Sequence, residues 1–411
     1  MRRLLLPSGL AALLLSPFVA LAQPAPTPLP HTPRLTLEQA QDLAVARSFE
    51  LAAARAEVDA TQGGVRQAAA PRNPELNTSV EDTRSATRTT TTTLAFPLEL
   101  GGKRAARVGA AERTRELAAA RLAQAQATLR ADVVAAYFSV VVAQERVKLA
   151  IDSAGLASRV VGVVGKRVAA GRTSPVDAAR ASVDAANAQL ELADAQAQLG
   201  SARQALAVLW GALEAHFDAA VGDLDATPQR ASQAVLLQQV ESAPALAAGR
   251  IDIARREADL GLERSKAVPD LVLSLGAKRD NELGRTQAVI GVSIPLPLFD
   301  RNQGAVHEAG KRAEKARDEY AAARVRLMAD VSQAARQLAT AQASLQALRE
   351  TVLPATQQAY DAATTGFEAG KFGFLDVIDA QRSLLQARAR TLNTVAAAYQ
   401  AAATLDRLLG R

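Results

Sequence analysis

The chain has 411 residues, no cysteine, only 3% aromatic residues and about 93 alanines; 48 basic and 42 acidic side chains leave a net charge of +6. The lack of cysteine excludes disulfides, thiolate nucleophiles and thiolate metal sites, and the lack of a basic block with stacking aromatics argues against a nucleic-acid partner. Alanine buries little area but is the best helix former and lets helices approach closely, so the composition predicts long packed helices rather than several globular cores.

Arg2 and Arg3 precede an apolar stretch from Leu4 to Leu15, and Ala20-Leu21-Ala22 places small residues where a signal peptidase reads. Residues 1–22 are therefore predicted to be a secretory signal peptide, with a mature chain starting at Gln23. No cysteine stands at the cleavage point, so no lipid anchor is expected. Residues 23–34 are rich in proline and read as an extended tail. Beyond them no run of 18 apolar residues suggests a spanning helix.

Leu35 to Ala69 has helical spacing, with Thr36 as a candidate N-cap and Glu38 one position short of a capping box. Pro71 and Pro74 end it. Leu76–Asp82 and Arg88–Phe96 read as strands, the second through the β-branched run Thr89–Thr93. Lys103 to Ala169 contains no proline and predicts a very long helix, which turns at Gly171 into a second helix, Pro175–Trp210. Phe217 to Gln233, with Gly222, Asp223, Asp225 and Pro228, has linker composition. In the second half Leu271, Leu273 and Leu275 alternate with Val272, Ser274 and Gly276, and Ala288, Ile290, Val292 and Ile294 alternate with Val289, Gly291 and Ser293. Period two over about ten residues is the length of a membrane-crossing β-strand. Arg301 to Ala369, interrupted only by Pro354, and Leu375 to Leu409 complete a second helical hairpin.

The chain is a duplication. Gly171-Arg172-Thr173-Ser174-Pro175-Val176-Asp177 matches Gly370 to Asp376 at an offset of 199, Phe96-Pro97-Leu98 matches Ile294-Pro295-Leu296 at 198, and Pro74-Glu75-Leu76 matches Pro269-Asp270-Leu271 at 195. The two helix-strand-strand-helix repeats run over residues 35–216 and 234–411, joined by the linker at 217–233. Four strands cannot close a barrel, and lipid tolerates no open sheet edge, so a membrane sheet of this size has to close by oligomerising. Three chains give twelve strands. The alternative from pattern alone is a structural periplasmic coiled-coil protein with a small sheet.

The signal peptide, the twofold repeat and the two glycine-led hairpin tips resemble the TolC-type outer-membrane efflux proteins over nearly the whole mature chain. Phe96 to Arg104, Ala170 to Asp177 and Glu368 to Phe372 are most similar to the CzcC-like heavy-metal branch. The resemblance implies an α+β homotrimer in outer-membrane lipid, with a twelve-stranded β-barrel continued by an α-helical coiled-coil barrel. It also implies a periplasmic adaptor (membrane-fusion) protein, an inner-membrane pump of the resistance-nodulation-division type, and export of cations such as cobalt, zinc, cadmium or nickel. A multidrug, solvent or type I secretion duct is the alternative within the family.

The resemblance places adaptor contacts at the tips, making Gly171, Arg172, Gly370 and Lys371 the candidate docking residues. Locally, a turn glycine with positive φ would explain Gly171 and Gly370 as well, and Arg172 and Lys371 could simply satisfy helix ends. The family places aspartates in pore-narrowing rings at the positions of Asp376 and Asp379, which lie one helical turn apart. Asp177 belongs with its tip-locking contacts. Complementing the helix dipole is the alternative for Asp376 and Asp379. Phe367 and Phe372 depart from the tyrosine and arginine that often lock the tip in drug-exporting relatives. His31, His216 and His307 are far apart and read as structural or surface residues. No catalytic pattern and no cofactor are expected.

Overall fold

A computed structural model describes residues 32–411; the expected signal peptide, most of the proline-rich tail and His31 lie outside them. The first helical region is two helices, α1 (Leu37–Arg47) and α2 (Phe49–Ala69). Thr36 caps α1 in a complete capping box, because the reciprocal partner is Gln39 rather than Glu38. Ser48, extended at φ −60° and ψ 123°, ends α1 and caps α2 by accepting from the Leu51 N–H. A four-residue strand, β1 (Thr32–Leu35), precedes them.

Strands β2 (Glu75–Glu81), β3 (Thr89–Leu98), β5 (Leu271–Asp280) and β6 (Arg285–Ser293) form one antiparallel sheet in the order β2-β3-β5-β6; β4 lies in the linker and is described below. Leu76 faces Leu94, Leu94 faces Leu275 and Leu275 faces Ile290, while Phe96 faces Leu273 and Leu273 faces Val292. Since side chains alternate along a strand, all of these share one face. Asn77, Ser79, Thr91, Thr93, Ser274, Lys278, Gln287 and Gly291 share the other. The apolar face is the exposed one: Ile290 is 75% and Val292 63% accessible, whereas Gln287, Val289 and Gly291 are half-buried. A soluble sheet buries its apolar face, and this one is inverted. At Gly276 the sheet tolerates no side chain, since a Cβ there would sit 2.1 Å from the Thr92 carbonyl oxygen.

Below the sheet stand α3 (Lys103–Ala169) and α4 (Pro175–Val208) from the first repeat. The second repeat supplies α5 (Gln233–Gln239), α6 (Pro244–Lys266), α7 (Gln303–Ala347), α8 (Leu353–Glu368) and α9 (Phe374–Leu409). The 67 residues of α3 extend about 100 Å at 1.5 Å each. Between α7 and α8 the helix widens into a π turn, Leu348–Val352, immediately before Pro354. A proline inside a helix removes a donor and crowds the carbonyl four residues back, and a wider turn accommodates both effects.

Two cores of large side chains meet at mid-height. One joins Val133, Tyr137, Val140 and Trp210 to Leu35 and Phe217; the other joins Val331, Leu338, Val395 and Leu405 to Leu236 and Leu246. Phe138 bridges them, stacked on Tyr399 at 3.6 Å between ring centroids. Towards the tips most buried positions are alanine, with Ala154, Ala157 and Ala188 forming a small cluster on which Leu192 packs, and with Val164, Val377 and Leu384 the larger buried side chains there.

The linker is not featureless. Phe217–Ala220 forms β4, which pairs in parallel with β1. Gln144 mimics a further strand there: its amide donates to Ala220 O and accepts from Ala220 N. Tyr137 Oη lies 2.9 Å from Leu35 O and 2.5 Å from Val221 O. Arg349, in the π turn, donates to Leu224 O and Asp225 O, and Arg230 pairs with Asp406. The segment is thus a strap bonded to both repeats.

Where sheet meets helices, a collar of ion pairs fixes the join. Glu99, its side chain 9% accessible, accepts from Arg107 at 2.5 Å and from Arg72 at 3.2 Å. Lys103 donates to Asp270 at 2.6 Å, and the Leu100 N–H donates to the same oxygen. The bonds from Arg107 hold the Glu99 carboxyl below its ordinary value of 4.5, against an upward push from burial. At Asp270 burial pushes upward, but Lys103 and the Leu100 N–H together outweigh it, so its value falls below 3.8. Both native values are depressed, so the stabilisation is complete above the ordinary values and is lost as pH falls through the native ones. Thermal melting should therefore drop on acidification below about pH 4. Glu99→Gln should cost about 1–3 kcal/mol at neutral pH and show a weaker acid dependence; an acid profile identical to the parent would remove Glu99 from the collar.

Candidate functional site

The two helical hairpin tips are built alike. After α3 the Gly171 N–H donates to Val168 O and the Arg172 N–H to Arg167 O, both at 2.9 Å. After α8 the Gly370 N–H donates to Phe367 O at 3.0 Å and the Lys371 N–H to Gly366 O at 2.8 Å. Each is a complete Schellman turn, satisfying the last helical carbonyls with a glycine in the left-handed region. Gly171 has φ +67° and Gly370 φ +74°, and a Cβ at either would meet nothing within 4 Å. Conformation, not crowding within the protomer, requires glycine at both. Arg172 and Lys371 are exposed beside them.

The following helices start differently. The Ser174 hydroxyl accepts from the Val176 N–H, Pro175 opens α4, and Asp177 sits half-buried in its first turn. At α9 the Asp376 carboxylate reaches back to accept from the Gly373 N–H at 2.8 Å. The capping function weighed against a pore role for Asp376 thus has a bond of its own. Asp379, one turn on, is exposed beside it.

Contacts between the hairpins were not legible in the sequence. The Arg167 guanidinium stacks 3.9 Å over the Phe367 ring, joining the ends of α3 and α8. Phe372 folds back over Gly366, where a Cβ would come within 2.1 Å of its ring. Further up, Arg382 of α9 reaches Asp184 of α4 at 3.1 Å. That pair borders a cavity of about 400 Å³ between α3, α4 and α9, which is also lined by Gln381. The Gln381 side chain is buried and its Oε1 has no hydrogen-bond partner. Among the described residues no group of three or more His, Cys, Asp or Glu side chains could hold a metal ion. His216 lies in the loop before β4 and His307 on α7, and neither lines the tips.

An inverted β-sheet set on helices about 100 Å long is the plan of an outer-membrane duct. The sequence pattern of the Outer membrane efflux protein family matches residues 40–212 and again 235–411. The chain is 53% identical over 418 residues to the cobalt-zinc-cadmium resistance protein CzcC of Cupriavidus metallidurans, covering all of both chains. It is 34% identical to the nickel and cobalt resistance protein CnrC of the same organism, over 73% of this chain and 72% of that one. Among solved structures, a membrane protein from Pseudomonas aeruginosa superimposes with a TM-score of 0.79 at 22% identity, covering 91% of this chain and 92% of the other. The CmeC outer membrane channel of Campylobacter jejuni gives 0.77 at 16% identity, covering 91% and 85%. The chain belongs to the outer membrane efflux protein family, as an efflux channel of the outer membrane whose helices extend into the periplasm.

The tip geometry yields a local expectation. Gly370→Ala should strain the backbone by about 1–2 kcal/mol, because alanine avoids φ +74°. Amide exchange around residues 369–373 should quicken roughly five- to thirtyfold, with α4 unchanged. Exchange as slow as in the parent would show that the turn does not depend on glycine.

Proposed function

We propose that three copies of this chain form a passive duct that carries heavy-metal cations, such as cobalt, zinc, cadmium or nickel, across the outer membrane. The inverted sheet carries this reading. Its apolar face suits lipid, its polar face suits a water-filled lumen, and its edges β2 and β6 have no partner among the described residues. Twelve strands from three chains would leave no edge in lipid. The full-length likeness to CzcC supports the metal cargo. The duct itself supplies no energy and no catalysis. A resistance-nodulation-division pump in the inner membrane drives export, and a periplasmic adaptor joins pump to duct at Gly171, Arg172, Gly370 and Lys371. Backbone is exposed at both glycines, so an adaptor can approach closely there, and the two cationic neighbours favour an acidic surface. In a metal-sensitive host that has the pump and adaptor but lacks this duct, the wild-type gene should restore tolerance to cobalt, zinc and cadmium. Gly171→Trp with Gly370→Trp should assemble yet fail to restore it. Tolerance with the double variant would move docking away from the tips, and no rescue by the wild type would reject the metal cargo.

Asp376 and Asp379 are assigned to the periplasmic entrance, where three copies would bring six carboxylates near the axis and attract cations. Asp177, with its half-buried place in α4, is assigned to tip contacts. The bond from the Gly373 N–H fixes the Asp376 carboxylate in direction, which is compatible with both capping and a ring. Replacing Asp376 and Asp379 together with alanine should lower cation preference and divalent-ion block in single-channel recordings; unchanged selectivity and block would take both out of the pore.

A further inference from the structure

The end of the sheet far from the helices sorts its charges by face. Because the helices extend into the periplasm, the turns joining β2 to β3 and β5 to β6 stand at the cell exterior. On the exposed apolar face β5 presents Leu271, Leu273, Leu275 and Ala277, and the next residue of that face is Arg279. Arg279 lies in one row with Val80, Thr90 and Thr286. One step further out the Asn281 N–H donates to Arg88 O at 3.1 Å, which sets Arg88 opposite Asn281 and on the same face as Thr90. Arg88 and Arg279 are therefore diagonal neighbours, with Cβ atoms about 7–8 Å apart. Both are exposed.

Two guanidinium groups this close repel each other, and no strand acid on that face offsets them. Glu81, Thr89, Asp280 and Arg285 form the adjoining row, which belongs to the polar face. Asp82 is engaged within its own turn, accepting from the Arg84 N–H and the Thr87 hydroxyl, and Glu282 stands beyond the strand end. Arg88 donates once, to Thr83 O at 3.1 Å. Among the described residues neither arginine has an ion-pair partner. Closure of a barrel would not supply one, because β3 and β5 are the inner strands and only the edges β2 and β6 meet another copy.

Height decides what can approach them. From Leu271 to Arg279 the strand rises about 26 Å at 3.3 Å per residue. A tilt of about 40° turns that into about 20 Å of height, against an apolar band about 25 Å tall. An arginine carries its charge outward on an apolar stem, which covers the difference. The pair thus reaches the headgroup level of the outer leaflet. Directly inward lie Ala277 and Ala288, facing each other, and then Leu275 and Ile290; Ile290 is 75% accessible. Acyl chains fit that surface, and a free anion has no use for it.

We propose that Arg88 and Arg279 clamp a phosphate of a phosphorylated glycolipid in the outer leaflet, three such sites girdling the trimer. This rests on the barrel reading above and goes beyond it by naming a lipid partner. The planar guanidinium fork matches a pair of phosphate oxygens, and the anion removes the repulsion between the two cations. Thr90 and Thr286 flank Arg279 with hydroxyls that suit a sugar.

Bisphosphorylated lipid A, added to the protein purified in a neutral detergent and followed by native mass spectrometry, tests the clamp. Wild-type trimers should retain it, and the same lipid stripped of phosphate should bind at least tenfold more weakly. Arg88→Gln with Arg279→Gln should lose at least tenfold in retention of the phosphorylated lipid, and either substitution alone about threefold. Lys278→Gln with Arg285→Gln, which removes two cations from the polar face, should leave retention unchanged. Equal retention by the Arg88 and Arg279 double variant would overturn the proposal. So would an equal loss in the polar-face variant, equal binding of the dephosphorylated lipid, or displacement by an equal concentration of inorganic phosphate. The same spectra report assembly: a mass of three protomers without lipid retention rejects the clamp and leaves the barrel standing, whereas a mass of one protomer in bilayer nanodiscs rejects both.

Discussion

A backbone N–H or C=O that faces lipid without a partner costs several kcal/mol, and the architecture answers to that constraint. Two strand pairs from the two repeats join at β3 and β5, halving the number of edges, but β2 and β6 remain open. The exposed apolar face shows the solvent for which the sheet is built. The polar face carries threonine, serine and glycine together with Asn77, Lys278 and Gln287, side chains suited to contact with water.

The helices answer a different requirement. A tube wall one helix thick has almost no interior, so its stability comes from seams. Alanine keeps these close over great length, at the cost of little buried area per residue. Large side chains are concentrated at mid-height, where the strap between the repeats, the β1–β4 pair and the Tyr137, Phe138 and Tyr399 rings lie together. The strap is therefore part of the packing rather than a passive tether.

What could be read from sequence followed from periodicity. Leu271 to Leu275 and Ala288 to Ile294 announced their strands, and the observed register places their apolar members on one face. The tip turns were legible because glycine punctuates a helix end. The β1–β4 pair was not, since four-residue strands carry no periodic signal and their partners lie 185 positions apart. The break at Ser48 is hidden in the sequence because apolar spacing continues through it, although serine is a favoured cap. Pro354 stands out in the sequence, but its consequence, a π turn that also carries Arg349, depends on how the freed carbonyls are re-bonded. At the tips, Arg167 over Phe367 and Asp184 with Arg382 join residues about 200 positions apart, and no local pattern encodes them.

The thinning of the core towards the tips has a mechanical consequence. Large interlocked side chains resist sliding, because one helix can move past another only if rotamers reorganise. In the seam of Ala154, Ala157 and Ala188 the alanines have no rotamers, and Leu192 is the larger side chain packed on them. Shear there is opposed by backbone contact and a few polar bonds, whereas the mid-height ring behaves as a stiff hoop. The protomer is graded like a reed, clamped at one level and compliant beyond it. Force applied at the far end is therefore absorbed as displacement near that end, and the sheet in the membrane is spared distortion.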